Sequence, residues 1–195
     1  MFKHHSITMK TKLLITALLL FSVSLSFAQE AMPSAESVLK QSYAQAAKEN
    51  KKVLLIFHAS WCGWCKKMTA SLNDPSCKKM FDDNYVTVYL DVLEHKGEES
   101  RENPGGLDVL KKYDAVDAGL PFWLILDDKG NTLATCEMPP PGATVAKPAD
   151  SVGCPTDPNE VEYFIKVLKA TSNLTEGDFA VIRKRFLLNK PATKA

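Results

Sequence analysis

The sequence has 195 residues, 45% of them hydrophobic and 24% charged, with 24 Lys and Arg against 23 Asp and Glu. That size and composition fit one globular domain with a core of its own, and exclude both a disordered tail and a small disulfide knot. A formal charge of +1, with no basic stripe interleaved with aromatics, argues against a nucleic-acid or membrane-surface footprint.

Lys3, Lys10 and Lys12 precede an apolar run from Leu13 to Phe27 that ends in Ser26-Phe27-Ala28, the pattern of a secretory signal peptide over residues 1–28. The run is shorter than the roughly 20 apolar residues a spanning helix needs, and Ser22, Ser24 and Ser26 interrupt it. It therefore reads as a leader, with no membrane span left after cleavage and the periplasm as the destination. Removing its three Lys from the 24 basic residues leaves 21 against 23 acidic ones, a formal charge of −2. Cys62, Cys65, Cys77, Cys136 and Cys154 all lie beyond the leader, in a compartment where disulfides persist, and an odd count leaves at least one thiol unpaired.

Residues 29–195 read as a single domain. From Pro33 to Asn50, apolar residues recur at helical spacing behind Ser34, a natural N-cap. Val53 to Phe57 is a continuous apolar run, which suits a strand covered on both faces in the middle of a sheet. A helix follows over Cys62–Leu72 and stops at Asn73-Asp74-Pro75, where Ser76 is placed to cap a short helix through Phe81. A second strand spans Tyr85–Val92, Glu94–Gly106 reads as a loop, and Leu107–Tyr113 as a helix. Strand, helix, strand, helix is the pattern of a parallel α/β crossover. Phe122–Leu126 gives a third strand, Asp127 to Gly130 a turn, and Asn131–Glu137 a fourth strand returning antiparallel, so the sheet is mixed. Met138–Asn159, rich in Pro, Gly and small polar residues, reads as an inserted surface loop. Glu160–Ala170 resumes helical spacing, and Thr175 with Asp178 opens a last helix through Leu188 in a helical extension over 171–195.

The chemistry concentrates at Trp61-Cys62-Gly63-Trp64-Cys65, directly after the buried strand and at the start of a helix. Unpaired backbone N–H groups and the macrodipole at a helix N-terminus stabilise an anion, so the Cys62 thiolate is expected to form at lower pH than a free thiol. Cys65, within the first turn, is placed to attack a mixed disulfide carried by Cys62. Cys136 ends a strand and Cys154 closes the inserted loop, so a structural bridge between them is expected to staple that loop, leaving Cys77 as the odd, buried thiol. Lys66 follows Cys65 where a c-type haem signature requires His, and a lone Cys-x-x-Cys with no second ligand pair is weak evidence for zinc; no metal site is assigned.

A strand, then Trp-Cys-x-x-Cys-Lys, then an apolar strand preceded by Gly119-Leu120-Pro121, resembles the thioredoxin superfamily, and in flavour its exported thiol–disulfide oxidoreductases with a Trp-Cys-Gly-Trp-Cys-Lys-Lys-Met site. The resemblance covers roughly Ser34 to Ala170. It implies an α/β, thioredoxin-like fold, a central mixed β-sheet flanked by helices, with the inserted loop and the extra C-terminal helix lying outside it. It implies Cys62 as an exposed nucleophile, Cys65 as its buried partner, and a cis peptide before Pro121. Trp61, Gly63, Trp64, Leu120 and Pro121 then support the pair and meet the substrate. Protein disulfides are the implied substrates, reduced more readily than formed, with an upstream thiol–disulfide donor as the second partner and no cofactor beyond the Cys62–Cys65 disulfide. The sequence departs from the family at two positions. Ile56 stands where thioredoxins commonly hold a buried acid that moves protons for the second cysteine, leaving water or His58 to serve, and Trp64 replaces a common Pro. A copper(I) carrier using the two thiolates as soft ligands and a binding module with a static disulfide are the rival readings.

Overall fold

In the computed structural model, residues 31–140 and 150–190 are described. The expected signal peptide over 1–28 lies outside them, as do the middle of the expected inserted loop and the end of the C-terminal extension. Helix α1 (Ala35–Glu49) starts at Ser34, whose Oγ accepts the Ser37 N–H at 3.2 Å, and ends at Asn50 in the left-handed region, φ 52°. Strand β1 (Lys52–His58) leads into α2 (Gly63–Leu72) and α3 (Lys78–Asn84), then β2 (Tyr85–Asp91). After a 3-10 turn at Glu99–Arg101 come α4 (Gly106–Lys111), β3 (Phe122–Leu126), β4 (Thr132–Thr135), α5 (Pro158–Thr171) and α6 (Glu176–Leu187).

The strands lie in the order β2-β1-β3-β4, with β1 parallel to β2 and antiparallel to β3, and β4 antiparallel to β3. The strand at the centre is the one with the unbroken apolar run, and Val53 to Phe57 are all buried. Register sorts the two faces: Val53, Leu55 and Phe57 share one with Val86, Val88 and Leu90, and Leu54, Ile56 and His58 share the other with Thr87, Tyr89 and Asp91. On the second face, Phe81 of α3 meets Tyr85 at 6.4 Å and Phe164 of α5 meets Trp123 edge-on at 5.3 Å. The α1 helix and α4 close the first face, where Gly106 leaves no room for a side chain because a Cβ there would come 2.9 Å from Val92 Cγ1. This is a thioredoxin-like fold, a mixed four-stranded sheet flanked by helices, with additional helices at the C-terminus.

Several expectations are corrected. Ser76 does not cap α3: its N–H and hydroxyl both donate to Asp74 Oδ1, at 3.0 and 2.6 Å, so the helix begins at Lys78 and runs to Asn84, with Lys78–Asp82 and Lys79–Asp83 pairs along it. Nor is 138–159 wholly a surface loop. The Met138 N–H donates to Asp150 O at 3.1 Å, Val152 N–H to Cys136 O at 2.8 Å and Trp123 Nε1–H to Gly153 O at 2.8 Å, so the returning segment packs along the core with Val152 and Cys154 buried. The helix that follows begins two residues early, at Pro158, because Asp157 and Glu160 form a capping box around its first turn.

A further correction is the Cys136–Cys154 bridge, which the structure does not contain: both are free, buried thiols facing different partners. Cys136 Sγ lies 3.1 Å from Ser151 Oγ and accepts the Trp123 N–H at 3.4 Å, whereas Cys154 Sγ accepts from Asn189 Nδ2 at 3.5 Å. Backbone pairing already ties the returning segment to Cys136, and each sulfur has its own donor. Cys77 is a third buried thiol, as expected.

The final helix docks on the domain. Phe186 of α6 packs 4.9 Å from Phe164 and 6.3 Å from Phe81, and Arg185 Nε donates to Asp74 Oδ2 at 2.7 Å. Just past α6, Asn189 is buried: its Nδ2 donates to Ser71 Oγ at 2.8 Å and its carbonyl accepts from Lys67 Nζ at 2.9 Å. The last helix therefore holds the outer flank of α2.

Candidate active site

Strand β1 ends at His58, and four residues later Cys62 becomes the N-cap of α2. Cys62 and Cys65 are joined in a disulfide, Cα–Cα 5.3 Å, and Cys62 Sγ accepts the Cys65 backbone N–H at 3.0 Å. The sulfur of the first cysteine thus already occupies the anion-favouring position at the helix start, in direct contact with an amide that has no partner inside the helix. In this oxidised form Cys62 is as enclosed as Cys65, 3% and 4% exposed, which corrects the expectation of an exposed nucleophile. Ala59 and Leu120 pack against the pair and cover it.

The two tryptophans are open to solvent, Trp61 at 46% and Trp64 at 41%. Trp61 is fixed nevertheless: its Nε1–H donates to Leu93 O at 2.8 Å and its ring stacks on His95 at 5.5 Å. Lys67 Nζ sits 4.4 Å from the centre of the Trp64 ring while bonding Asn189, which ties this lysine to the last helix. Lys66 is exposed. Gly63 opens α2 with free space where a side chain would stand.

The Leu120–Pro121 peptide is cis, behind Gly119 at φ 82°. Gly119, Leu120 and Pro121 form one side of a groove of about 290 Å³ beside Trp64, and Ser151 to Cys154 of the returning segment line the other. Gly153 lies so close that a Cβ would stand 3.4 Å from Pro121 O, and its own φ of 59° favours glycine.

The chain positions where the family pattern is broken are now placed. Ile56 is buried on the sheet face beneath α2 and brings no acid there. One residue pair along, His58 Nδ1 lies 2.9 Å from Asp91 Oδ1, with the two side chains 26% and 23% exposed. Glu94 is the acid nearest the motif in hydrogen bonding, accepting the Ser60 N–H and Oγ–H, both at 2.7 Å. Sequence reading found His58 but not Asp91, Glu94, His95 or Asn189. Asp91 becomes legible only once β2 is set in register with β1; the others come from loops or from the far end of the chain. Among the described residues no group of three or more His, Cys, Asp or Glu is arranged to hold a metal ion, and no helix is long and apolar enough to cross a membrane.

Residues 34–128 match a family model described as thioredoxin-like. Among solved structures the chain is similar to a disulphide isomerase from Xylella fastidiosa Temecula1, at 23% identity over 57% of this chain and 80% of that one, TM-score 0.45. It is also similar to the C-terminal domain of DsbD from Neisseria meningitidis in the oxidised form, at 26% identity over 54% and 84%, TM-score 0.38. A DsbH oxidoreductase gives 22% identity over 76% and 92%, TM-score 0.42. No match is found among curated proteins.

Proposed function

We propose that this chain, whose residues 34–128 match a thioredoxin-like family model, is a thiol–disulfide oxidoreductase that exchanges disulfides with protein substrates through Cys62 and Cys65, more readily as reductant. The observation that carries this reading is the Cys62–Cys65 disulfide at the N-terminus of α2, with Cys62 Sγ already receiving a free helix amide. In the reductive direction the Cys62 thiolate attacks a client disulfide and the first client sulfur leaves as thiolate. The Cys65 thiolate then attacks Cys62 Sγ, the mixed disulfide breaks, and the second client sulfur leaves. Two electrons pass to the client, and the protein ends in the disulfide form seen in the structure. An upstream dithiol returns those electrons, and the exchange itself uses no metal or organic cofactor.

The leader over residues 1–28 supports export, with the periplasm as the working compartment. Leu120 packs against the sulfur pair, and Trp64, Leu120 and Pro121 line a groove in which an extended client would lie, with the exposed Trp61 ring in the same motif. The preference for reduction rests on the resemblance of the Trp-Cys-x-x-Cys-Lys motif alone.

A disulfide-reduction assay on insulin, driven by a small dithiol, tests the reading. Wild type is expected to accelerate precipitation of the insulin chains, Cys62→Ser to be inactive, and Cys65→Ser to accumulate a mixed disulfide with the client. Equal rates for all three proteins would reject catalysis by this pair.

A further inference from the structure

Cys65 must lose a proton before it can displace a product from Cys62, and its surroundings resist that loss. The thiol is buried, with Ala59, Cys62 and Leu120 as its apolar neighbours. Burial favours the neutral thiol, so the second exchange step requires a proton acceptor within reach.

The sheet face beneath α2 carries one. Ile56 and His58 of β1 share that face with Tyr89 and Asp91 of β2. The Thr69 side chain of α2 lies beside the Tyr89 hydroxyl, which places the helix over that strand. Going back from Thr69 by one turn, about 6 Å, reaches Cys65 on the same side of the helix. Going forward from Ile56 and Tyr89 by two residues, about 6–7 Å, reaches His58 and Asp91. The two steps run in the same direction, toward the end of the sheet where β1 turns into α2, so His58 lies beneath the first turn of α2 as Tyr89 lies beneath the second.

Its chemistry suits the position. His58 Nδ1 is 2.9 Å from Asp91 Oδ1 and the ring meets Tyr89 edge-on at 5.3 Å, so the imidazole is held from two sides. With the proton on Nδ1, the nitrogen that faces Asp91 Oδ1, the lone pair is left on Nε2. The side chain is partly exposed, which gives a proton taken there a way out to water. Glu94 has both carboxylate oxygens occupied by Ser60.

We propose that His58, oriented by Asp91, accepts the Cys65 proton in the second exchange step; the inference rests on the oxidoreductase reading above. The Cys65 S–H bond breaks and an N–H bond forms at His58 Nε2. The freed sulfur pair forms the bond to Cys62, the bond from Cys62 to the client breaks, and the client sulfur departs with that electron pair. The departing thiolate is then protonated by His58 or by water.

The test uses the reduced full chain and the aromatic disulfide dithiobis(nitrobenzoate) in stopped flow. The first thionitrobenzoate released reports attack by Cys62, and the second its displacement by Cys65. Cys77, Cys136 and Cys154 are buried and are expected to react more slowly than either phase. Against wild type, His58→Ala is expected to keep the first phase and slow the second by about a hundredfold. Added imidazole restores it, and Asp91→Asn slows the second phase by a smaller factor. A second phase at the wild-type rate in His58→Ala, or a slow one that imidazole leaves unchanged, overturns the assignment. Should His58→Ala not fold by circular dichroism, Asp91→Asn decides: an unchanged second phase overturns the inference. Absence of the first phase in wild type would instead reject the oxidoreductase reading itself, so the two failures are distinct.

Discussion

Burial holds Cys136 and Cys154 as neutral thiols. For Cys136, burial dominates and pushes the pKa to about 11 against some relief from Ser151; for Cys154, burial pushes it to about 12 while Lys67 acts weakly the other way. The ordinary value is 9.0, so in both cases the folded chain holds the proton more tightly than the unfolded chain. Below pH 9 the two states bind these protons equally; as pH rises from 9 toward 11 and 12 the unfolded chain ionises first and stability is lost. We predict that the urea midpoint falls between pH 8 and pH 11, and that the fall is shallower in the Cys136→Ala/Cys154→Ala variant. Parallel slopes for the two proteins would remove the thiols from the account. At this scale the sequence was informative where chemistry is contiguous: Cys62, Cys65, Trp61 and Pro121 are read from neighbours a few residues away. It was uninformative for sulfur pairing, because whether Cys136 meets Cys154 or Ser151 depends on how a segment 15 residues later lies against the strand.

Elements were legible where one force decides them. β3 falls on Phe122–Leu126 as the apolar run marks it, and α6 starts at Thr175 as its capping box marks it. The start of α3 is not legible from sequence because two local options compete for Ser76, and the Asp74 turn wins over the cap. The docking of α6 depends on Phe179, Ile182 and Phe186, all buried, while its Arg183–Glu162 ion pair is exposed and adds little. Removing the Phe186 ring takes away contacts to both Phe164 and Phe81, and Phe186→Ala is expected to cost about 3–5 kcal/mol in urea unfolding. Thr175→Ala, which removes one side of the capping box, is expected to cost about 1 kcal/mol. Equal losses for the two variants would mean that α6 is held by its cap rather than by its aromatic face.

At the scale of the whole molecule, the sheet and its helices bring three distant stretches to one rim: the Cys62–Cys65 turn, the Gly119–Pro121 turn and the segment from Ser151 to Cys154. The family model matches residues 34–128, and the third stretch lies outside that match. Composition alone marked 138–159 as loop, since Pro and Gly reveal where regular structure stops but not which backbone groups pair across a gap. Those pairs give the two parts of this stretch opposite roles. The Met138 N–H donates to Asp150 O, so the ends of the intervening residues are held together by the frame itself, and closing a shorter connection between them carries little entropic penalty. Beyond Asp150, by contrast, Val152 pairs with Cys136 and Gly153 accepts from Trp123 against Pro121. We predict that replacing residues 141–149 with a two-residue Asn-Gly turn shifts the Tm by less than about 2 °C and leaves insulin reduction intact. Gly153→Val, which forces a branched side chain onto Pro121 in a left-handed conformation, is expected to lower the Tm and client reduction together. If the shortened chain lost client reduction while keeping its Tm, the functional wall of the groove would extend into the replaced residues; if Gly153→Val behaved as wild type, the returning segment would have no hold on the Pro121 turn.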